Sequence, residues 1–236
     1  MNQSIVIIPT FNEKENIEKI VRKVISLDQD FDILVVDDNS PDGTAKIVQE
    51  IQGELEEVHL LQRSGKNGLG TAYIDGFRWA LSREYDFIFE MDADFSHNPE
   101  DLDRLRQACL DGADLSIGSR YIEGGGLEDW PWLRRFLSKG ASHYTNAILN
   151  MGIKDVTAGF KCYTRKVLEA LPLDEINFVG YAFQIEMKYR AFRKGFKLAE
   201  VPITFKDRTE GKSKMNAGIA KEALFGIMKL KRMKLG

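Results

Sequence analysis

Cysteine is scarce in this sequence. There are two, Cys109 and Cys162, and no C-x-x-C pair. That argues against a disulfide scaffold or a thiolate zinc site and fits a reducing cytoplasm. The N-terminus has no basic region followed by an apolar run, so no signal peptide is expected. Long hydrophobic runs are missing as well. The longest uncharged stretch, Gly140–Ile153, has 14 residues and is interrupted by Ser142, His143 and Asn146. It is too short and too polar to span a bilayer. The glycine-rich stretch Arg63–Gly70 lacks the spacing of a Walker A loop and that of a G-x-G-x-x-G dinucleotide fingerprint. No internal repeat or interdomain linker is apparent.

What is present fits an ordinary globular protein. The chain has 236 residues, 43% hydrophobic and 29% charged, enough apolar material for one large domain or two small ones. Its formal charge of −3 hides an asymmetry. Lys188–Gly236 holds 14 basic against 4 acidic residues, a net +10, so the remainder carries −13. A basic C-terminal segment suggests a polyanionic partner: nucleic acid, an anionic membrane or a phosphorylated substrate.

Apolar runs alternate with helical periodicity through the first half. Strands are expected at Ser4–Pro9, Phe31–Val36, Val58–Leu61, Phe87–Met91 and Leu115–Ser119, with helices between them. This alternation predicts an α/β fold with a mostly parallel sheet covered on both faces. Right-handed crossovers would bring Asn12/Glu13, Asp37/Asp38, Lys66/Asn67 and Asp92/Asp94 to one crevice at the carboxyl ends of the strands. In the second half, Gly124–Gly126 reads as a flexible connection and Trp130–Met151 as a helix. Asp155–Tyr163 is strand-like, Tyr181–Arg193 a helix and Leu198–Phe205 a strand. A basic loop, Lys206–Lys214, and an amphipathic basic helix, Ala217–Lys234, complete the chain.

The stretch Phe87–Asp94 is an apolar strand running into two carboxylates. Alternation along an extended chain puts Asp92 and Asp94 on one side, roughly 6–7 Å apart. Two such acids repel unless a cation lies between them. His97 reads as a loop or supporting residue rather than a ligand, and Glu90 as structural. Arg120, at another strand end, suits a phosphate. Ile33–Asn39 also resembles the opening of a response-regulator receiver domain. That domain carries its acid pair after the first strand, whereas here a whole β-α unit precedes it.

Taken together, Pro9–Glu13, Val36–Thr44, Gly68–Tyr73, Met91–Asp94, Gly118–Tyr121 and Gly211–Lys214 resemble the inverting family 2 glycosyltransferases of the GT-A fold. Among these the chain is most similar to the polyprenol (dolichol) phosphate mannosyltransferases. The resemblance implies a single Rossmann-like GT-A domain with peripheral amphipathic helices. Residues 1–121 would form a nucleotide-sugar-binding half and 122–236 an acceptor-binding half. It implies GDP-mannose as donor, Mg²⁺ or Mn²⁺ as cofactor and a polyprenyl monophosphate as acceptor.

Carried onto this sequence, Pro9, Phe11, Glu13, Val36 and Asp38 would hold the guanosine part. Asp92, Ala93 (through its carbonyl) and Asp94 would surround the metal and the donor diphosphate, with Asp92 and Asp94 as metal ligands. Arg120, Arg134 and Ser138 would receive the acceptor phosphate. Arg208 and Lys214 would sit on a loop closing over the donor. Asp94 and Arg120 are the residues expected to carry catalysis, with no general base. Phe11 stands where some relatives have tyrosine. Ser96 stands where some have a glutamine ligand, and water is expected to take that place. No nucleic acid is expected as partner. The protein is expected in the cytoplasm, peripheral on a membrane face through Trp130–Met151 and the basic last helix. Some relatives carry C-terminal membrane helices and this chain stops before any, so a membrane-anchoring partner protein is the other expected anchor. Two rivals are a same-fold enzyme using UDP-glucose or another nucleotide sugar, and a non-catalytic nucleotide-sugar or phosphosignal-binding module.

Overall fold

The structure, a computed structural model, describes residues 3–27, 30–207 and 226–233. Its first half runs β1 (Ser4–Thr10), α1 (Ile17–Ile25), β2 (Phe31–Asp37), α2 (Thr44–Gln52), β3 (Val58–Gln62), α3 (Leu69–Leu81), β4 (Phe87–Glu90), α4 (Asp101–Leu110) and β5 (Leu115–Ser119). The second half runs β6 (Gly126–Glu128), α5 (Trp132–Leu149), β7 (Lys161–Thr164), α6 (Arg165–Ala170), α7 (Tyr181–Arg193), β8 (Leu198–Pro202) and β9 (Thr204–Lys206). Residues 226–232 are helical.

A seven-stranded sheet in the order β3-β2-β1-β4-β7-β5-β8 forms the centre. Six of its strands are parallel. β7 alone runs the other way, antiparallel to both β4 and β5. β1 and β2 are apolar at nearly every position because both faces are covered. Their alternation divides the core in two. Ile5, Ile7, Leu34 and Val36 point toward α3 and α7. Val6, Ile8, Ile33 and Val35 point toward α1, α2 and α4. α3 lies close to the sheet because it carries a glycine at the crossing. A Cβ on Gly76 would sit 2.7 Å from the Ile7 side chain.

The second half departs from the expected strands in two places. The run expected as one strand over Leu198–Phe205 is two. Pro202 has no N–H with which to continue the ladder. β8 pairs with β5 in the main sheet, and after Ile203 the chain enters β9, which pairs with β6 in a separate two-stranded sheet. The Gly124–Gly126 connection therefore ends inside β6 rather than as free loop. Of the strand-like Asp155–Tyr163 excursion only Lys161–Tyr163 is extended in the sheet, as the start of β7.

α5 starts after Pro131 and stops at Asn150, whose left-handed φ of 53° closes the helix. Leu149 at its end packs into the core, but the apolar residues of its first two turns do not. Trp132, Leu133, Phe136 and Leu137 are 76, 51, 70 and 61% exposed, while Ser142 and Thr145 are buried. No described helix is long and apolar enough to cross a membrane. The described part of the last helix docks on the core through Ile227 and Leu230 and exposes Lys229, Lys231 and Arg232.

Candidate active site

Strand order reverses at β1, whose neighbours are β2 and β4. An open α/β sheet offers a crevice at the carboxyl edge of such a switch point. The loops after β1, β2, β3 and β4 meet there, as the sequence predicts. Asp37 is spent on building the edge. Fully buried, it accepts from Thr10 Oγ1 at 2.9 Å and from Ser40 Oγ at 2.6 Å. Ser40 Oγ also accepts from the Asn12 N–H, which ties the β1 loop to the β2 loop. The Glu13 N–H donates to Thr44 Oγ1, and Asn16 donates to the Glu13 carboxylate.

Asp38 faces Arg63, which donates to it at 2.6 Å, bonds Thr71 Oγ1 at 2.7 Å and pairs with Asp75 at 3.0 Å. Burial pushes the Asp38 carboxyl up, and the Arg63 charge offsets only part of that. Lys66 from the glycine-rich loop lies 4.4 Å from the Phe11 ring centre. Pro9 and Val36 are register partners at the ends of β1 and β2. The Val36 side chain is in the core, so a ligand contact there runs through the main chain. Thus Pro9, Phe11, Glu13, Val36 and Asp38 come together, with Arg63 and Lys66 beside them.

The acid pair follows a fully buried β4. Asp92 is half-buried, and Ala93 and Asp94 are buried. Phe95 has φ +58°, a conformation bulky residues rarely adopt. The reversal lets the Ser96 N–H donate to Asp94 Oδ1 at 3.1 Å. The Asp92 N–H donates to His97 Nδ1 at 3.4 Å. His97 is buried, stacked on Phe160 at 4.9 Å and edge-on to Phe205 at 5.3 Å. Burial drives its pKa down to about 4, which suits a ring nitrogen that accepts. His97 therefore supports the acid pair from behind. The Lys206 N–H bonds Ser96 O and ties β9 to the same loop.

Two carboxylates at a strand end are hard oxygen donors that suit Mg²⁺ or Mn²⁺ when substrate phosphates and water complete the shell. Among the described residues there is no cluster of three His, Cys, Asp or Glu that would hold a metal by itself. Ser96 Oγ is buried next to Asp94 without a hydrogen-bond partner, a further oxygen at this place. The residues present therefore fit such an ion.

The other side of the crevice is cationic. Arg120 follows β5 and is bidentate on Asp155, Nε at 2.6 Å and Nη2 at 2.7 Å, with Nη2 also 2.8 Å from Thr157 Oγ1. Burial pulls the Asp155 carboxyl upward, but the bonds and charge of Arg120 outweigh it and hold the group below its ordinary value. Arg134 lies 3.8 Å from the Trp130 ring centre and pairs with Asp207 at 3.0 Å. Tyr121 Oη and Ser138 Oγ are 2.7 Å apart in a hydrogen bond. Arg134 and Ser138, four residues apart, share the face of α5 turned toward Arg120 and Tyr121. Phe205 joins the two sides, touching His97, Trp130 and Arg120.

Arg120, Arg134 and Ser138 are thus brought together, while Arg208 and Lys214 lie outside the described residues. Asp155, Thr157, Arg63, Trp130 and Phe205 were not anticipated as parts of the site. Asp155 is 35 residues from Arg120. It arrives because β7 is antiparallel, so the turn before β7 opens onto the carboxyl edge. No spacing rule in the sequence encodes that.

Residues 5–171 match the profile of Glycosyl transferase family 2. The chain is 48% identical over 226 residues to polyprenol monophosphomannose synthase of Mycolicibacterium smegmatis, covering 95% of this chain and 85% of that protein. It is 45% identical over 221 residues to undecaprenyl-phosphate mannosyltransferase of Micrococcus luteus, covering 94% and 90%. Its fold is similar to that of glucosyl-3-phosphoglycerate synthase from Mycobacterium tuberculosis, solved with Mn²⁺, UDP and glucosyl-3-phosphoglycerate. The TM-score is 0.70 at 16% identity, over 97% of this chain and 80% of that one.

Proposed function

The chain belongs to glycosyl transferase family 2, and from that premise we propose that it transfers mannose from GDP-mannose to a polyprenyl monophosphate with inversion at the anomeric carbon. One observation carries this activity: the acid pair after β4 and the arginines after β5 and on α5 share one sheet edge, separated by β7 alone. Two strand spacings are about 9–10 Å. That leaves room for a sugar between a departing diphosphate and an incoming phosphate. The mannosyl and polyprenyl-phosphate chemistry named for the two relatives fits this arrangement.

Pro9, Phe11, Glu13, Val36 and Asp38 hold the guanosine part in this proposal. Asp92, the Ala93 carbonyl and Asp94 face the diphosphate, and Asp92 and Asp94 are the residues that would hold a divalent cation. When bound, the cation supplies Lewis-acid charge to the departing diphosphate. Arg120, Arg134 and Ser138 orient the acceptor phosphate. A phosphate monoester has a second pKa of about 6, so near neutral pH the nucleophile is already largely a dianion and needs no base. Positioning is then the main task of the arginines. The acceptor oxygen bonds to C1 from the face opposite the nucleotide. The C1–O bond to GDP breaks and its electron pair leaves with GDP, giving a β-mannosyl phosphate from an α donor.

The exposed apolar residues of α5 flank Arg134 on either side in the sequence. In this proposal Trp132, Leu133, Phe136 and Leu137 enter the lipid interface on the cytoplasmic face of a membrane, while Lys229, Lys231 and Arg232 meet anionic headgroups. A lipid phosphate would then reach Arg134 and Arg120 without leaving the membrane surface. Failure to sediment with anionic liposomes would leave this contact to an anchoring partner protein.

A donor screen tests the activity: GDP-mannose, UDP-glucose and UDP-GlcNAc against a short polyprenyl phosphate, with Mg²⁺ or Mn²⁺. Glycolipid from GDP-mannose alone is expected. Product from a UDP-sugar in its place would overturn the donor, and no product from any donor would point to a binding module.

A further inference from the structure

Arg120 is held by a turn far from it in sequence. Asp155 and Thr157 hold its guanidinium, and the Arg120 N–H also donates to Asp155. The turn's backbone is irregular and largely buried, so its polar groups need partners. Glu200 on β8 takes two of its N–H groups, Lys154 at 2.8 Å and Asp155 at 2.9 Å. The carbonyls are met from the opposite side. Lys188 on α7 is fully buried and donates from Nζ to Val156 O at 3.0 Å and to Ala158 O at 2.6 Å.

Lysine is seldom buried without a specific partner. Burial depresses the Lys188 ammonium well below its ordinary range. Either protonation state still offers the two N–H bonds that the carbonyls need. Gln184, one helical turn before Lys188 and on the same face of α7, is engaged elsewhere. It bonds the buried Glu90 carboxylate and Lys161. Lys188, by contrast, is directed at the turn.

We propose that Lys188 is a positioning residue of the acceptor site: by holding the carbonyls of Val156 and Ala158 it fixes the turn that presents Asp155 and Thr157 to Arg120. It thereby sets where Arg120 meets an incoming phosphate, without touching substrate itself. The inference rests on Arg120 receiving the acceptor phosphate, as proposed above.

The test compares Arg120→Ala, Lys188→Met, their combination and Glu200→Gln in the full chain. A short polyprenyl phosphate is titrated at saturating GDP-mannose, and donor affinity is measured separately with Mn²⁺. Lys188→Met keeps the length of the side chain and removes both N–H bonds. It should lower kcat/KM for the acceptor by about tenfold, a coupling within the usual range for a shared network. Donor Kd should stay unchanged, and the combined variant should be no worse than Arg120→Ala. Normal acceptor kinetics in Lys188→Met beside impaired Arg120→Ala would overturn the inference. So would losses that add, or a donor Kd that weakens in parallel. Normal acceptor saturation in Arg120→Ala would instead overturn the acceptor site itself. If Lys188→Met does not fold, Glu200→Gln, which is only half-buried, loosens the same turn from its other side. It should show a several-fold loss in the same parameter, and unchanged acceptor kinetics there would count as refutation.

Discussion

Replacing Asp155 with alanine should be the most costly single change at the acceptor side. The Asp155 carboxylate is fully buried and the Arg120 side chain is 8% exposed, so solvent cannot replace what is lost. Removal takes away the carboxylate to which Arg120 Nε, Nη2 and its backbone N–H donate. Removing one partner of a buried pair costs about 3–5 kcal/mol, because the other charge stays behind uncompensated. Against a total stability of roughly 5–15 kcal/mol, that is from about a fifth to the whole. For a chain of this size it corresponds to a Tm drop of roughly 6–20 °C.

Urea unfolding followed by far-UV circular dichroism gives the number. The Arg120→Ala/Asp155→Ala double variant should lose about 2 kcal/mol less than the sum of the single variants. The pH dependence carries the same sign. The folded-state pKa of Asp155 is held below its unfolded value, so the pair's contribution is fully present above the ordinary carboxylate pKa. It is lost as pH falls through the folded value. Asp155→Ala should flatten the stability profile in that acidic window. A loss below about 1 kcal/mol, the range of solvent-exposed pairs, or additive losses in the double variant would refute the buried-pair assignment.

Asp94→Ala should abolish transfer and metal-dependent donor binding while circular dichroism stays native; full activity in that variant with the metal chelated would contradict the role. Arg120→Ala should lose transfer with GDP-mannose affinity largely kept, and an unchanged acceptor saturation curve would count against it. Phe136→Glu with Leu137→Glu should weaken sedimentation with anionic liposomes. Two large apolar side chains account for about 3 kcal/mol of insertion, roughly a hundredfold in partition. Because both residues are exposed, the unfolding free energy from urea titration should change by no more than about 0.5 kcal/mol. Liposome binding as strong as wild type would remove α5 from the membrane contact.

The first half of the fold was legible because buried parallel strands are continuous apolar runs ended by turn residues. Ile5–Ile8 and Ile33–Val36 leave little choice, and β5 lies over Leu115–Ser119 as expected. From that alternation the convergence of Glu13, Asp38 and the Asp92/Asp94 pair followed by topology alone. The acceptor side was only partly legible. Arg120 could be placed at a strand end, but Asp155 reaches it through an antiparallel strand, and the sequence carries no local mark of strand direction. Periodicity located α5 without saying what covers its apolar face. Pro202 was visible, yet Leu198–Phe205 was still expected as one strand. The missing N–H matters there because β8 is followed by a second ladder partner, β6. The buried Lys188 opens the basic C-terminal segment and looks in sequence like a member of a basic surface. Only the packing of α7 on the sheet turns it inward.

The central claim is transfer of mannose to a lipid phosphate at the edge shared by Asp92, Asp94, Arg120 and Arg134. Its most direct measurement follows GDP release and mannolipid formation together, from GDP-mannose and a short polyprenyl monophosphate, with NMR of the product's anomeric centre. Equal amounts of GDP and a β-configured mannosyl phosphate, both abolished by EDTA, are predicted. GDP release without mannolipid, or an α-configured product, would contradict the claim.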